Sequence, residues 1–151
     1  MGVIWTKPLR RWHAMLNLPR YNSSWYRDRL AEERRELRKA RTLVEKISEE
    51  SDVFFTIIRA EYDGFPIEKL PPFAYRQLSV YAYMLGKYTS RWTFYRTTAY
   101  LCNAPRYHLV REVVNPSKDH KLREVATRHQ IDAAKFLRVG RRLRRFWPLL
   151  P

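Results

Sequence analysis

A chain of 151 residues is the size of one ordinary domain, and its 45% hydrophobic and 15% aromatic content is enough for a modest core, which excludes wholesale disorder. Lys and Arg number 30 against 15 Asp and Glu, leaving a net charge of +15 that folding alone does not call for, because self-repulsion works against the compact state. The single cysteine, Cys102, excludes an intramolecular disulfide framework and a multi-thiolate metal site.

Residues 1–22 read as a basic, aromatic N-terminal arm, irregular or only briefly helical, punctuated by Pro8 and Pro19. Trp5, Trp12, Tyr21 and Trp25 suit an arm that packs onto a surface. Its acid-free, Arg-bearing composition has the charge pattern of a mitochondrial presequence, but it is poor in Ser and rich in Trp, so the expectation is an arm retained in the mature protein. Met1-Gly2-Val3-Ile4-Trp5-Thr6 matches the bare N-myristoylation pattern, which is short enough to arise by chance.

The first helix is expected to start at Ser23 or Ser24, whose hydroxyls can cap free N–H groups. Leu30, Leu37, Ala40, Val44 and Ile47 follow at helical spacing and form one apolar stripe on a charged rod. The heptads are too few for a coiled coil, so the stripe reads as a core face. Residues 53–58 are β-branched or aromatic, but no partner strand follows and helix is favoured. Asp63-Gly64-Phe65-Pro66 is a stop, with Gly64 suited to a left-handed cap. Pro71-Pro72 restarts the chain in a helix reaching about Leu101, bent or broken near 86–90, and Asn103-Ala104-Pro105 ends it. A short helix over 106–114 comes next. Asn115-Pro116 then opens a last helix, with Leu122, Val125, His129, Ala133, Phe136 and Leu137 as its buried stripe. Gly140 is its C-cap or a weak point within it, and Pro148 is the latest position at which it can end. The expected fold is all-α: an irregular, elongated helical bundle of four to five helices with an extended basic N-terminal arm, in which 23–151 form a single helical domain with an Arg-rich tail.

The positive charge is uneven. Met1 to Arg27 and Leu70 to Arg111 contain no acidic residue, the C-terminal part is Arg-rich, and from Asp28 to Lys69 the signs nearly cancel. Such blocks suit a polyanionic partner. The segment from Tyr75 to Tyr107 interleaves rings with cations, the combination that lets a protein hold phosphates and stack exposed bases. The tail places Arg138, Arg141, Arg142, Arg144 and Arg145 before Phe146 and Trp147, and arginine offers planar, two-pronged phosphate contacts. The residues expected to bind RNA or another polyanion are Lys7, Arg10, Arg11, Arg20, Arg76, Lys87, Arg91, Arg96, Arg106, Arg138, Arg141, Arg142, Arg144 and Arg145. Trp12, Tyr88, Trp92, Tyr95 and Trp147 are the stacking candidates.

Catalytic and metal patterns are missing from the sequence. His13, His108, His120 and His129 lack ligand spacing, there is no phosphate-cradling glycine loop, and Cys102 with His108 has no evident orienting group. No cofactor, metal or small-molecule substrate is expected. The longest charge-free run in the most apolar stretch, Gln77 to Gly86, is far short of a membrane span. The expectation is a non-enzymatic, structural, RNA-contacting subunit of a large ribonucleoprotein, with a mitochondrial ribosome in the matrix as the host and rRNA and neighbouring proteins as partners. The alternative is a peripheral subunit of an anionic inner-membrane complex, with Phe146, Trp147, Leu149 and Leu150 inserted in lipid. A small enzyme, built on a pocket that gathers Cys102, His108 and a carboxylate, is the third reading.

Overall fold

The computed structural model describes residues 3–70 and 77–151, with side chains from Lys7 onward. The Pro71-Pro72 restart, Tyr75, Arg76 and the Met1-Gly2 start of the myristoylation pattern lie outside the described residues, as does the side chain of Trp5. The described residues are all-helical, without a strand. Six α-helices are α1 (Val3–Leu16), α2 (Ser23–Lys39), α3 (Leu43–Tyr62), α4 (Leu78–Leu101), α5 (Asp119–Arg128) and α6 (Ala133–Leu143), with a 3-10 turn at Tyr107–Leu109. Among the described residues there is one helix more than the upper end of the expected four to five. The chain forms two compact units, Met1–Leu85 and Gly86–Pro151, divided within α4.

In unit 1, the segment expected to be an irregular arm is largely the helix α1. Leu9, His13 and Leu16 recur at three- and four-residue spacing and are buried. His13 lies between the rings of Phe55 and Tyr62, at 5.2 and 5.4 Å, and Trp12 meets Phe55 edge-on. The ordering of α1 comes from α3.

The single stripe expected from Leu30 to Ile47 is divided between two helices. Asn22, rather than Ser23 or Ser24, caps α2, its side chain accepting from Trp25 N. α2 ends at Lys39, and Thr42 opens α3 with a reciprocal cap: Thr42 Oγ1 accepts from Glu45 N at 3.1 Å, and the Glu45 carboxylate accepts from Arg41 N and Thr42 N. Leu43 and Val44 therefore fall on the first, exposed turn of α3, outside any core face. α2 and α3 pack as a helical hairpin. Residues 53–58 are helical and buried, inside α3. Gly64, at φ +88°, ends α3 as expected: Phe65 N donates to Ala60 O and Gly64 N to Glu61 O, a pairing that uses the last free carbonyls.

In unit 2, residues 86–90 remain helical inside α4, without the expected break. Asn103, at φ 57°, closes α4 with the same pair of bonds, to Tyr100 O and Ala99 O. The helix expected over 106–114 reduces to the 3-10 turn. The expected last helix is two: Gln130, at φ 56°, terminates α5, and Asp132 accepts from Lys135 N to start α6. Gly140 is a packing position within α6, where a Cβ would lie 3.1 Å from Leu122 Cδ1. Phe94, Tyr95, Val110, Leu122, Val125, Phe136 and Leu137 form the core, to which Leu150 returns from the tail.

The Thr42 cap gives a direct test of the two-helix arrangement. Thr42→Ala is expected to cost about 1 kcal/mol of unit 1 stability, read from a urea unfolding curve. An unchanged midpoint would show that the chain crosses residues 40–42 without needing the cap.

Candidate nucleic-acid interface

α6 separates apolar from cationic residues by its period. Phe136, Leu137 and Gly140 turn inward, so Arg138 and Arg142 project from the opposite side, continued by Arg145 in the turn that follows. These three arginines are exposed and make no ion pair among the described residues. Arg141 and Arg144 instead converge on Asp119, at 2.5 and 2.7 Å, and Arg144 also donates to Ser117 O. The Arg141 and Arg144 hydrogen bonds hold the Asp119 carboxyl at about 2. The Arg cluster of the tail thus has a structural pair and an outward-facing row.

A second group rises from α4 at four-residue intervals: Trp92, Arg96 and Tyr100. The Arg96 guanidinium lies 4.2 Å from the Trp92 ring centre and donates to His108 O. Tyr107 stands edge-on to Tyr100 at 5.1 Å and to His108 at 5.7 Å. Tyr100 is 59% and Tyr107 39% exposed, so both rings offer surface to a flat partner. Arg106 is exposed beside Tyr107 in sequence.

Four of the expected contact residues are corrected by burial. Lys87, Tyr88, Arg91 and Tyr95 lie on the inward stripe of α4, and none is more than 4% exposed. Arg91 Nε donates to Leu150 O at 2.7 Å and its Nη1 to Val113 O at 3.2 Å, while its guanidinium lies over the Tyr88 ring. Lys87 Nζ is 6.0 Å from the same ring. These cations serve the interior and do not face a partner. Trp147 is half-buried: its indole N–H donates to Ser90 O and its ring meets Phe94 edge-on. Leu150 is buried, leaving Phe146 and Leu149 as the exposed apolar residues of the tail.

The remaining expected contacts are in unit 1. Lys7, Arg10 and Arg11 are exposed on the side of α1 away from Leu9, His13 and Leu16. Arg20 is exposed and stacks over Phe65 at 4.9 Å. Trp12 is half-buried against Phe55.

The other charged groups favour structure over chemistry. Glu33, Glu36 and Glu49 bring carboxylate oxygens within 4.8 Å of one another, a spacing compatible with a metal ion. The Arg29 guanidinium already meets Glu33 at 2.5 Å, so a resident cation occupies the buried end of the cluster. Desolvation, against the pull of Arg29 and with the push of Asp52, Glu36 and Glu32, raises the Glu33 carboxyl to about 7. Burial pushes the Cys102 thiol up, which works against a thiolate nucleophile. Glu112 receives Arg128 and His129, at 3.2 and 3.0 Å, so His129 is a packed, paired histidine. No helix among the described residues is long and apolar enough to cross a membrane.

Comparison with protein-family models, curated proteins and solved structures finds no match for this chain. Sequence reasoning nominated Tyr88 and Tyr95 of α4 for stacking, and both are buried. Tyr100 and Tyr107 are the exposed pair; the phase of the helix separates Tyr100 from Tyr95, whereas Tyr88 shares the four-residue row of Trp92, Arg96 and Tyr100 and is buried nonetheless.

Glu33 predicts a measurable pH effect. Its folded pKa lies above the unfolded value of 4.5, so its stabilising contribution is complete below about 4.5 and is lost as pH rises to about 7. His13 acts oppositely: burial and Arg59 lower it to about 4, so stability falls as pH drops from 6.5 toward 4. The stability of Glu33→Gln relative to wild type should therefore rise between pH 4.5 and 7 and level off above, by roughly 3 kcal/mol at most. Parallel urea midpoints across that range would contradict the raised carboxyl.

Proposed function

We propose that this protein is a structural, non-catalytic subunit of a large ribonucleoprotein that holds RNA through its arginine rows. The observation that carries the reading is the outward row of Arg138, Arg142 and Arg145, three permanent cations without an acidic partner among the described residues, on the side of α6 turned from the core. Helix-dipole complementarity is satisfied by one or two cations in the last turn and does not require the row. A phosphate backbone matches it, because guanidinium groups make paired contacts with phosphate oxygens and the release of counterions drives the association.

The Tyr100–Tyr107 pair adds a second chemistry. Exposed rings beside a fixed guanidinium suit unpaired bases, which stack on aromatic faces in RNA loops and single strands. The outward cations Lys7, Arg10 and Arg11 extend the same chemistry to α1. A mitochondrial ribosome is the host we put forward, on the acid-free, Arg-bearing N-terminal segment, with rRNA and neighbouring subunits as partners. A lipid surface is less well served: of the four tail residues suited to insertion, Trp147 is tied to α4 and Leu150 is buried.

Two measurements test this reading. Arg138→Gln, Arg142→Gln and Arg145→Gln together should weaken binding of every RNA sequence at least tenfold and lower the slope of log affinity against log salt by roughly 2. Binding of the wild-type protein to anionic vesicles but not to RNA would overturn the reading. Tyr100→Ala with Tyr107→Ala should cost about 1–3 kcal/mol per stacked base on single-stranded RNA and leave duplex binding nearly unchanged, as read by fluorescence anisotropy.

A further inference from the structure

The segment from Asp28 to Lys69 is nearly charge-balanced in sequence, but α2 does not present a balanced surface. Tyr26, Leu30 and Glu33 are its buried residues. With that face fixed, the helical period sets Arg27, Ala31, Arg34 and Arg38 along one lengthwise row, with Arg35 beside it. All four arginines are exposed. The row extends over about 16 Å at 1.5 Å per residue.

The acids of α2 mostly point elsewhere. Glu33 is buried against Arg29, Glu32 pairs with the same Arg29, and Glu36 joins the carboxylate cluster with Glu49 of α3. Asp28 is the one acid at the edge of the row, where it lines an open recess with Ala31, Arg34, Arg35 and Arg38. Arg34 meets the Glu68 carboxylate, and Arg27, Arg35 and Arg38 make no ion pair among the described residues. The helix dipole accounts for Arg38 and Lys39 in the last turn, not for Arg27, Arg34 and Arg35.

We infer that the exposed arginine row of α2, formed by Arg27, Arg34, Arg35 and Arg38, is a further phosphate-binding site for RNA. The inference rests on the RNA reading proposed above and extends it to unit 1. The row's chemistry selects the backbone and not the bases, since it contains guanidinium groups and no exposed ring. It also selects a hydrated polyelectrolyte over a bilayer. The residue at the centre of the row is Ala31, and no large apolar side chain stands there to enter an acyl layer.

The test uses the full-length protein and a fluorescein-labelled RNA hairpin with a single-stranded flank, in anisotropy titrations from about 50 to 200 mM salt. The variant replaces Arg27, Arg34, Arg35 and Arg38 by Gln. Glutamine is a good helix former at exposed positions, and circular dichroism reports whether the helix content is kept. Binding should weaken at least tenfold, and the slope of log affinity against log salt should fall by roughly 3. Independently of any substitution, RNA should protect Arg35 and Arg38 of the wild-type protein from an arginine-selective dicarbonyl reagent. Wild-type affinity and slope in the α2 variant, with weakened binding in the Arg138, Arg142 and Arg145 variant, would overturn the α2 site and leave the proposed function standing. Absence of RNA binding by the wild-type protein would remove both. Vesicles of anionic phospholipid that bind the wild-type protein in preference to RNA, and lose that binding in the α2 variant, would assign the row to a lipid surface and overturn the inference.

Discussion

Unit 2 is organised around a permanent charge inside it. Arg91 is buried on α4, and a buried guanidinium without partners would be prohibitively costly. The chain answers by bringing carbonyls to it from two distant segments, Leu150 in the tail and Val113 in the extended stretch after the 3-10 turn. Once Leu150 is held there, Trp147 meets Phe94 and donates to Ser90 O, and Ser90 Oγ donates to Pro148 O. The tail therefore belongs to the core of unit 2. A cation that reads in sequence as a partner contact instead ties the tail to α4.

The same division of labour recurs along the chain. On α4, Lys87 and Arg91 go inward while Arg96 goes to Trp92. In unit 1, Arg59 is buried, donates to Pro19 O and lies over the rings of Tyr21 and Trp25. Aromatic rings and carbonyl oxygens take the place of scarce carboxylates as cation partners in these interiors. That explains how a chain with twice as many bases as acids can fold without pairing every base. It also leaves the remaining arginines for the surface, where their mutual repulsion works against the compact state.

The helical class was legible because Pro, Gly and Asn mark the ends of segments whose apolar residues recur at three and four. Gly64 and Asn103 stop their helices as their residue types dictate. The breaks at 40–42 and 130–132 were not legible from periodicity, since an apolar stripe can run on across a cap: Val44 kept the period yet faces solvent. Thr42 with Glu45, and Asp132, carried the signal, and it was local hydrogen-bond chemistry rather than hydrophobic pattern. The candidate interface was half legible. Composition located the Arg blocks, but only the phase of each helix separates Arg138 from Arg141, or Tyr100 from Tyr95. Phase is set by which neighbour covers which face, a property of tertiary contact and not of the segment.

That phase also constrains what kind of recognition the surface can perform. Arg138, Arg142 and Arg145 form a row of guanidinium groups, and guanidinium contacts to phosphate fix position without reading sequence. Tyr100 and Tyr107 read planarity and unpairedness, again without a hydrogen-bond code for the base. On the proposed RNA reading the specificity is one of shape, set where a run of phosphates passes an unstacked base. Folded RNA in a large particle supplies that geometry at fixed places, whereas free RNA supplies it only transiently. A subunit of the kind proposed gains its place from the architecture around it, its charge balanced by the particle rather than by its own carboxylates.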